Sequence, residues 1–189
     1  MPDMDFGFFG VNAGVLADPA TMVEAATTAE AAGWESIWTG EHVVVSSPQR
    51  PPSPVRPDTH FVDQVAALAH LSAHTTTLRL GTGILILPQR NPVVLAKELA
   101  SIDVLSGGRL EAGFGVGYVP GEFDAMGVPF AQRGARMDDH IDALRAMWRG
   151  DLEFEGRFTS WHGVEAHPRP VGPDGPPIHV GGGSSATFR

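Results

Sequence analysis

Short apolar runs alternate along this chain with longer segments whose apolar residues recur every three to four positions. That alternation is the pattern of repeated βα units around a parallel sheet. Five runs read as strands: residues 5–11 (DFGFFGV), 34–40 (WESIWTG), 77–83 (TLRLGTG), 109–117 (RLEAGFGVG) and 176–183 (PPIHVGGG). Four helices fall between them. The first opens on Asp18 and Pro19, a cap followed by a residue pre-set for the first turn, and Gly33 stops it. The second runs from about Phe61 to His74. Asn91 and Pro92 start the third, whose Val94, Leu95, Leu99, Ile102 and Leu105 keep close to a 3.6 period until 106–108 (SGG). The fourth covers 131–150, with Gly150 as its stop.

Two stretches break the alternation. Residues 43–60 contain SSPQRPPSPVRP, too rich in proline for helix or sheet and too long for a plain connector, which marks a functional lid or a disordered stretch. Residues 151–172 hold FEGRFTSWHGVEAHPRP and read as a small hairpin-like insertion. No linker separates the rest, so 1–189 is expected to form one domain.

Composition narrows the function. A chain that is 42% apolar and 19% charged belongs with ordinary globular proteins. No apolar run reaches the length of a membrane-spanning helix, and MPDMDFGFFG lacks the basic start of a secretion signal, so a cytoplasmic location is expected. The absence of cysteine excludes disulfides, thiolate nucleophiles and Cys-bound metals. A net charge of −9 argues against a nucleic-acid surface.

Candidate chemistry gathers at the carboxyl ends of the strands, where parallel α/β proteins bind ligands. Glycines cluster there three times: Gly81 and Gly83; Gly113, Gly115 and Gly117; Gly181, Gly182 and Gly183. Such glycines suit tight βα turns, but three clusters on one face point to a ligand lying against bare backbone. GFGVGYVPG is not a dinucleotide fingerprint, because Tyr118 stands where a glycine is required. Neither a Walker A loop nor a GxSxG elbow occurs. WTGEH places Glu41 and His42 at the end of the second strand, a carboxylate and an imidazole suited to proton transfer. HLSAH lacks the glutamate of a zinc helix, and no metal site is expected.

Several segments, in order, resemble the luciferase-like monooxygenase superfamily and within it the coenzyme F420-dependent oxidoreductases. They are WTGEH, LRLGTGILILPQRNPVVLAKELASIDVLSGGRLEAGFGVGY, GEFDAMGVPFAQRGARMDDHIDALRAMW, FEGRFTSWHGVEAHPRP and PPIHVGGGSS. The resemblance implies a (β/α)8 TIM barrel, of which about the first five βα units are visible. It implies a non-proline cis peptide at Gly83–Ile84 backing the cofactor ring. Glu41 would contact the ring system and His42 would sit beside the reacting carbon. Gly115 and Gly117 would line the cofactor, while Gly182, Gly183 and Ser184 would cradle its phosphate. Tyr118 replaces the glutamate of the sugar-phosphate dehydrogenase branch, which disfavours that activity. Arg109 is expected as a buried ion-pair partner.

The implied reaction is hydride transfer between F420 and a small organic substrate. The alternative is an FMN-dependent monooxygenase using molecular oxygen, and relatives often form homodimers. A full barrel needs eight strands, so the chain is expected to be a fragment of a longer enzyme. A reading of another class is a truncated, non-catalytic barrel or assembly partner.

Overall fold

Asp18 and Asn91 cap their helices as the sequence implies. Asp18 accepts from the Thr21 N–H at 2.9 Å, and Asn91 from Val93 and Val94 at 3.0 and 3.2 Å. They open α1 (Pro19–Ala31) and α3 (Pro92–Ser106) in a computed structural model that describes residues 4–182. The other helices are α2 (Gln64–Ser72), α4 (Pro120–Ala125) and α5 (Arg133–Arg149). Gly107 and Gly150 close α3 and α5 in the left-handed conformation, at φ 70° and 82°. α2 begins later than expected, because Asp63 accepts from Val65 and Ala66 and fixes the first turn there. α4 was not foreseen: Pro120, which reads as a breaker, takes the first helical position instead.

The strands are β1 (Gly7–Phe9), β2 (Ser36–Thr39), β3 (Arg79–Thr82), β4 (Leu85–Ile86), β5 (Leu110–Gly115) and β8 (Ile178–Val180). All pair in parallel, β1 with β2, β2 with β3, β3 and β4 with β5, and β5 with β8. A separate antiparallel hairpin joins β6 (Glu153–Glu155) to β7 (Ser160–His162), within the expected insertion.

β3 and β4 are two halves of one strand. Leu80 stands opposite Leu110, yet Leu85 stands opposite Phe114, so the β3–β4 side carries one extra residue. That is a bulge, uncommon in parallel sheets and a device that re-aims side chains. The Gly83–Ile84 peptide within it is cis, where the resemblance put it. Counting β3–β4 once gives five parallel strands with helices between them, the succession that begins a (β/α)8 barrel.

One face of the sheet is apolar. Ile37, Leu80, Leu85, Leu110 and Phe114 pack beneath helical residues such as Leu68, Leu99 and Leu144, and all eight are fully buried. The opposite face, the inside of a barrel, is mixed. Glu111 joins Arg79 and, at 2.5 Å, His179, while the Trp38 ring meets His179 edge-on. Among the described residues no helix is long and apolar enough to cross a membrane.

Two charged residues pin loops between units. Arg109, expected in an ion pair, instead donates to the carbonyls of Ser72, Thr75, Leu78 and Ser106 and to the Thr75 hydroxyl. A guanidinium has five donors in a fixed fork, enough to tie a turn without a carboxylate. Burial lowers its pKa. Glu30, at the end of α1, gathers the N–H groups of Thr76, Thr77 and Leu78. Burial opposes its charge, but those N–H groups outweigh it and hold the carboxyl down to about 2, against 4.5. A depressed carboxyl pKa adds stability above the unfolded value and loses it as pH falls through the folded one. Glu30→Gln is therefore expected to cost about 1–2 kcal/mol at neutral pH, solvent screening allowed for. Urea titrations should show that deficit closing as pH falls from 4.5 towards 2.

Candidate active site at the carboxyl ends of the strands

A cavity of about 600 Å3 opens over the carboxyl ends of the strands. Gly83, Ile84, Gly115, Gly117 and Gly182 all line it, together with Glu41 and His42. The sequence-derived residues thus share one hollow. Gly183 and Ser184 lie outside the described residues.

The glycines have a different immediate reason than bare backbone. A Cβ on Gly115 would overlap the end of the Ile84 side chain, and one on Gly181 would stand 3.1 Å from Ile84 Cγ2. Cβ atoms on Gly83 and Gly40 would press on the Phe9 ring, at 3.2 and 3.3 Å. Glycine at these positions leaves room for the Ile84 and Phe9 side chains at the strand ends. The cavity floor is therefore apolar side chain seated on glycine. Gly117 has its own cause: its φ of +75° turns the chain into α4, where a Cβ would crowd Ile86 and Phe123.

Polar groups hold the bulge that delivers Ile84. Thr82 Oγ1 donates to the Gly113 carbonyl and accepts from the Gly113 N–H, both at 2.7 Å, replacing ladder bonds the bulge removes. Gln64 Nε2 donates to the Ile84 carbonyl at 3.0 Å, and Gly83 N–H donates to Thr39 at 2.8 Å.

Glu41 serves the same frame. One oxygen accepts from the Ile86 N–H at 2.5 Å, and the other pairs with Arg90, which also reaches Asp63 at 3.0 Å. Burial raises the Glu41 pKa, with the Arg90 charge as partial offset. Both its oxygens are engaged by protein groups.

His42 lines the same cavity. Phe61 and Tyr118 meet its ring edge-on, with centroids 5.5 and 6.3 Å away. Its Nδ1 lies 2.5 Å from Glu122 Oε1 on α4. Sequence reasoning missed Glu122, because nothing local ties it to His42, 80 residues earlier in the chain. Burial, then the Glu122 charge, raises the Tyr118 phenol.

A flat tricyclic ring fits this arrangement. Ile84 and Phe9 offer an apolar surface, and Tyr118 and Val116 line the wall. Val55 brings the proline-rich loop to the rim. Gly181 and Gly182 line the cavity edge beyond β8.

Fold and cavity together define part of an α/β barrel with its hollow at the carboxyl ends of the strands, and comparison with known proteins agrees. The profile of the luciferase-like monooxygenase family matches residues 4–189, and the chain belongs to that family. It is 33% identical over 161 residues to the oxygenase component of the flavin-dependent trigonelline monooxygenase of Acinetobacter baylyi, covering 84% of this chain and 42% of that one. The monooxygenase RslO1 of Streptomyces bottropensis superposes with a TM-score of 0.76 at 29% identity, over 94% of this chain and 53% of that one. The F420-dependent tetrahydromethanopterin reductase of Methanopyrus kandleri gives 0.72 at 20% identity, over 95% and 50%, and shows the fold. The chain spans 42–63% of the length of the curated relatives it matches. Its fold is part of a luciferase-like TIM barrel, and the family is one of oxidoreductases and monooxygenases.

Proposed function

We propose that this chain supplies the ring-binding part of a flavin-dependent monooxygenase, with FMN as cofactor and a small organic molecule as substrate. The observation that carries the reading is the Ile84–Phe9 floor beside a buried His42. The sequence motifs favour F420, and the reading of FMN first is supported by one named relative. The likeness at 33% identity is to a protein named flavin-dependent, whereas the F420 enzyme stands at 20%.

When bound, the reduced ring supplies the electron pair that oxygen or substrate accepts. The chain's own residues do the rest. Ile84 and Phe9 would lie against the ring, and Gly182 would stand near its phosphate, for which the family resemblance also names Gly183 and Ser184, outside the described residues. Gln64 and Thr82 fix the height of Ile84 by tying the bulge. Glu41 and Arg90 lock the end of β2 to the segment after β4, so the cavity keeps its shape. His42 takes or returns one proton at the substrate. Val55, Val116 and Tyr118 line the cavity and limit water around it.

Hydride transfer with F420 is the second reading, favoured by the ordered family motifs quoted above. Anaerobic fluorescence titration with FMN and with F420, followed by oxygen uptake with reduced FMN, separates the cases. FMN binding with oxygen uptake is expected. F420 binding alone selects the second reading, and a folded chain that binds neither is the non-catalytic alternative.

A further inference from the structure

We infer that Glu122 is a positioning residue that decides which nitrogen of His42 is free to act, an inference that rests on His42 being the proton-handling group. The two side chains are 9% and 1% exposed, so Glu122 is buried behind His42, whose ring borders the cavity. An ionised carboxylate only accepts hydrogen bonds. Nδ1 must then carry the hydrogen, and Nε2 keeps the lone pair that a base needs. Glu122 Oε2 is buried and has no partner among the described residues. Among the described residues no second donor competes for the carboxylate, and His42 is the one group hydrogen-bonded to it.

The fold brings this pair together across 80 residues of chain. β5 ends at Gly115, Gly117 turns at φ +75°, and Pro120 starts α4, which sets Glu122 in its first turn. Phe61 and Tyr118, edge-on to the imidazole, hold its plane. When Nε2 takes a proton from a substrate O–H or C–H, Nδ1–H stays in place. The resulting imidazolium faces a carboxylate already aligned with it, so no group has to move.

Nitrogen-15 NMR of histidine-labelled protein tests this without any cofactor, the His42 signals being assigned by their loss in His42→Gln. At neutral pH the wild-type ring is expected as the Nδ1–H tautomer. Glu122→Leu, which offers Nδ1 no acceptor, is expected to lose the Nδ1–H preference, and Glu122→Gln, whose amide oxygen can still accept from Nδ1–H, to retain it. FMN affinity should stay within about twofold in Glu122→Leu while turnover falls about 10–100-fold. A wild-type ring protonated at Nε2 or at both nitrogens overturns the inference, as does an Nδ1–H tautomer unchanged by Glu122→Leu. Absence of FMN binding by the wild type would instead strike the functional reading and leave the tautomer result standing.

Discussion

Gly113→Ala is expected to lose about 3 kcal/mol or more of stability, whereas Gly115→Ala should lose less than about 1 kcal/mol. The two glycines sit two residues apart on the same strand, and the difference lies in what each would strike. A Cβ on Gly113 would overlap the Thr82 carbonyl oxygen, which is backbone at the edge of the bulge. β5 is buried along its whole length and pairs on both sides, so neither strand can yield. Moving Gly113 would also break its two bonds to Thr82 Oγ1. Native domains hold only about 5–15 kcal/mol in reserve, and a loss of this size is visible in any urea titration. A Cβ on Gly115 would meet only the far end of Ile84, which can rotate away. That rotation tilts the cavity floor. FMN affinity is expected to fall about tenfold, or about 1.4 kcal/mol, while the urea midpoint barely moves. Equal stability of Gly113→Ala and wild type would refute the bulge geometry.

Arg90→Met should be nearly as damaging, for an electrostatic reason. Removing one member of a buried ion pair strands the other, and typical losses are about 3–5 kcal/mol. The Glu41 side chain is 4% exposed, and Arg90 is its only cationic partner among the described residues. The sign of the pH dependence follows. A carboxyl whose folded pKa is raised binds its proton more readily in the folded state, so its contribution improves as pH falls. Without Arg90 the Glu41 pKa rises further. The deficit of Arg90→Met should therefore be largest near neutrality and shrink by about pH 5. Combining it with Glu41→Gln, which keeps an oxygen for the Ile86 N–H, is expected to restore most of the loss at neutral pH. Additive losses in the double variant would contradict the pairing.

What the sequence reveals here depends on distance along the chain. Asp18 and Asn91 are legible because cap and capped N–H groups lie within three residues. Gly150 and Gly107 are legible for the same reason. The strands are legible because a parallel sheet covered by helices writes continuous apolar runs. Thr82, Gln64, Glu30 and Glu122 are not. Their partners stand 31, 20, 47 and 80 residues away, and nothing local distinguishes them from solvated polar residues. Asp63 was masked by Phe61 and Val62, which extend the apolar pattern backwards past the true cap. Glycines from the three clusters line one cavity, but for a reason the sequence shows only in part. A glycine shows that something comes close, and only the fold shows that Ile84 and Phe9 arrive first.

The central claim is that a flat ring rests on that pair of side chains. Intermolecular NOEs between bound FMN and isoleucine-methyl-labelled protein test it most directly. Strong transfer from the ring protons to the Ile84 methyls, lost in Ile84→Ala, is the expected result. Transfer that bypasses Ile84 and reaches only residues outside the cavity, such as Trp34 beside α1, would contradict the account.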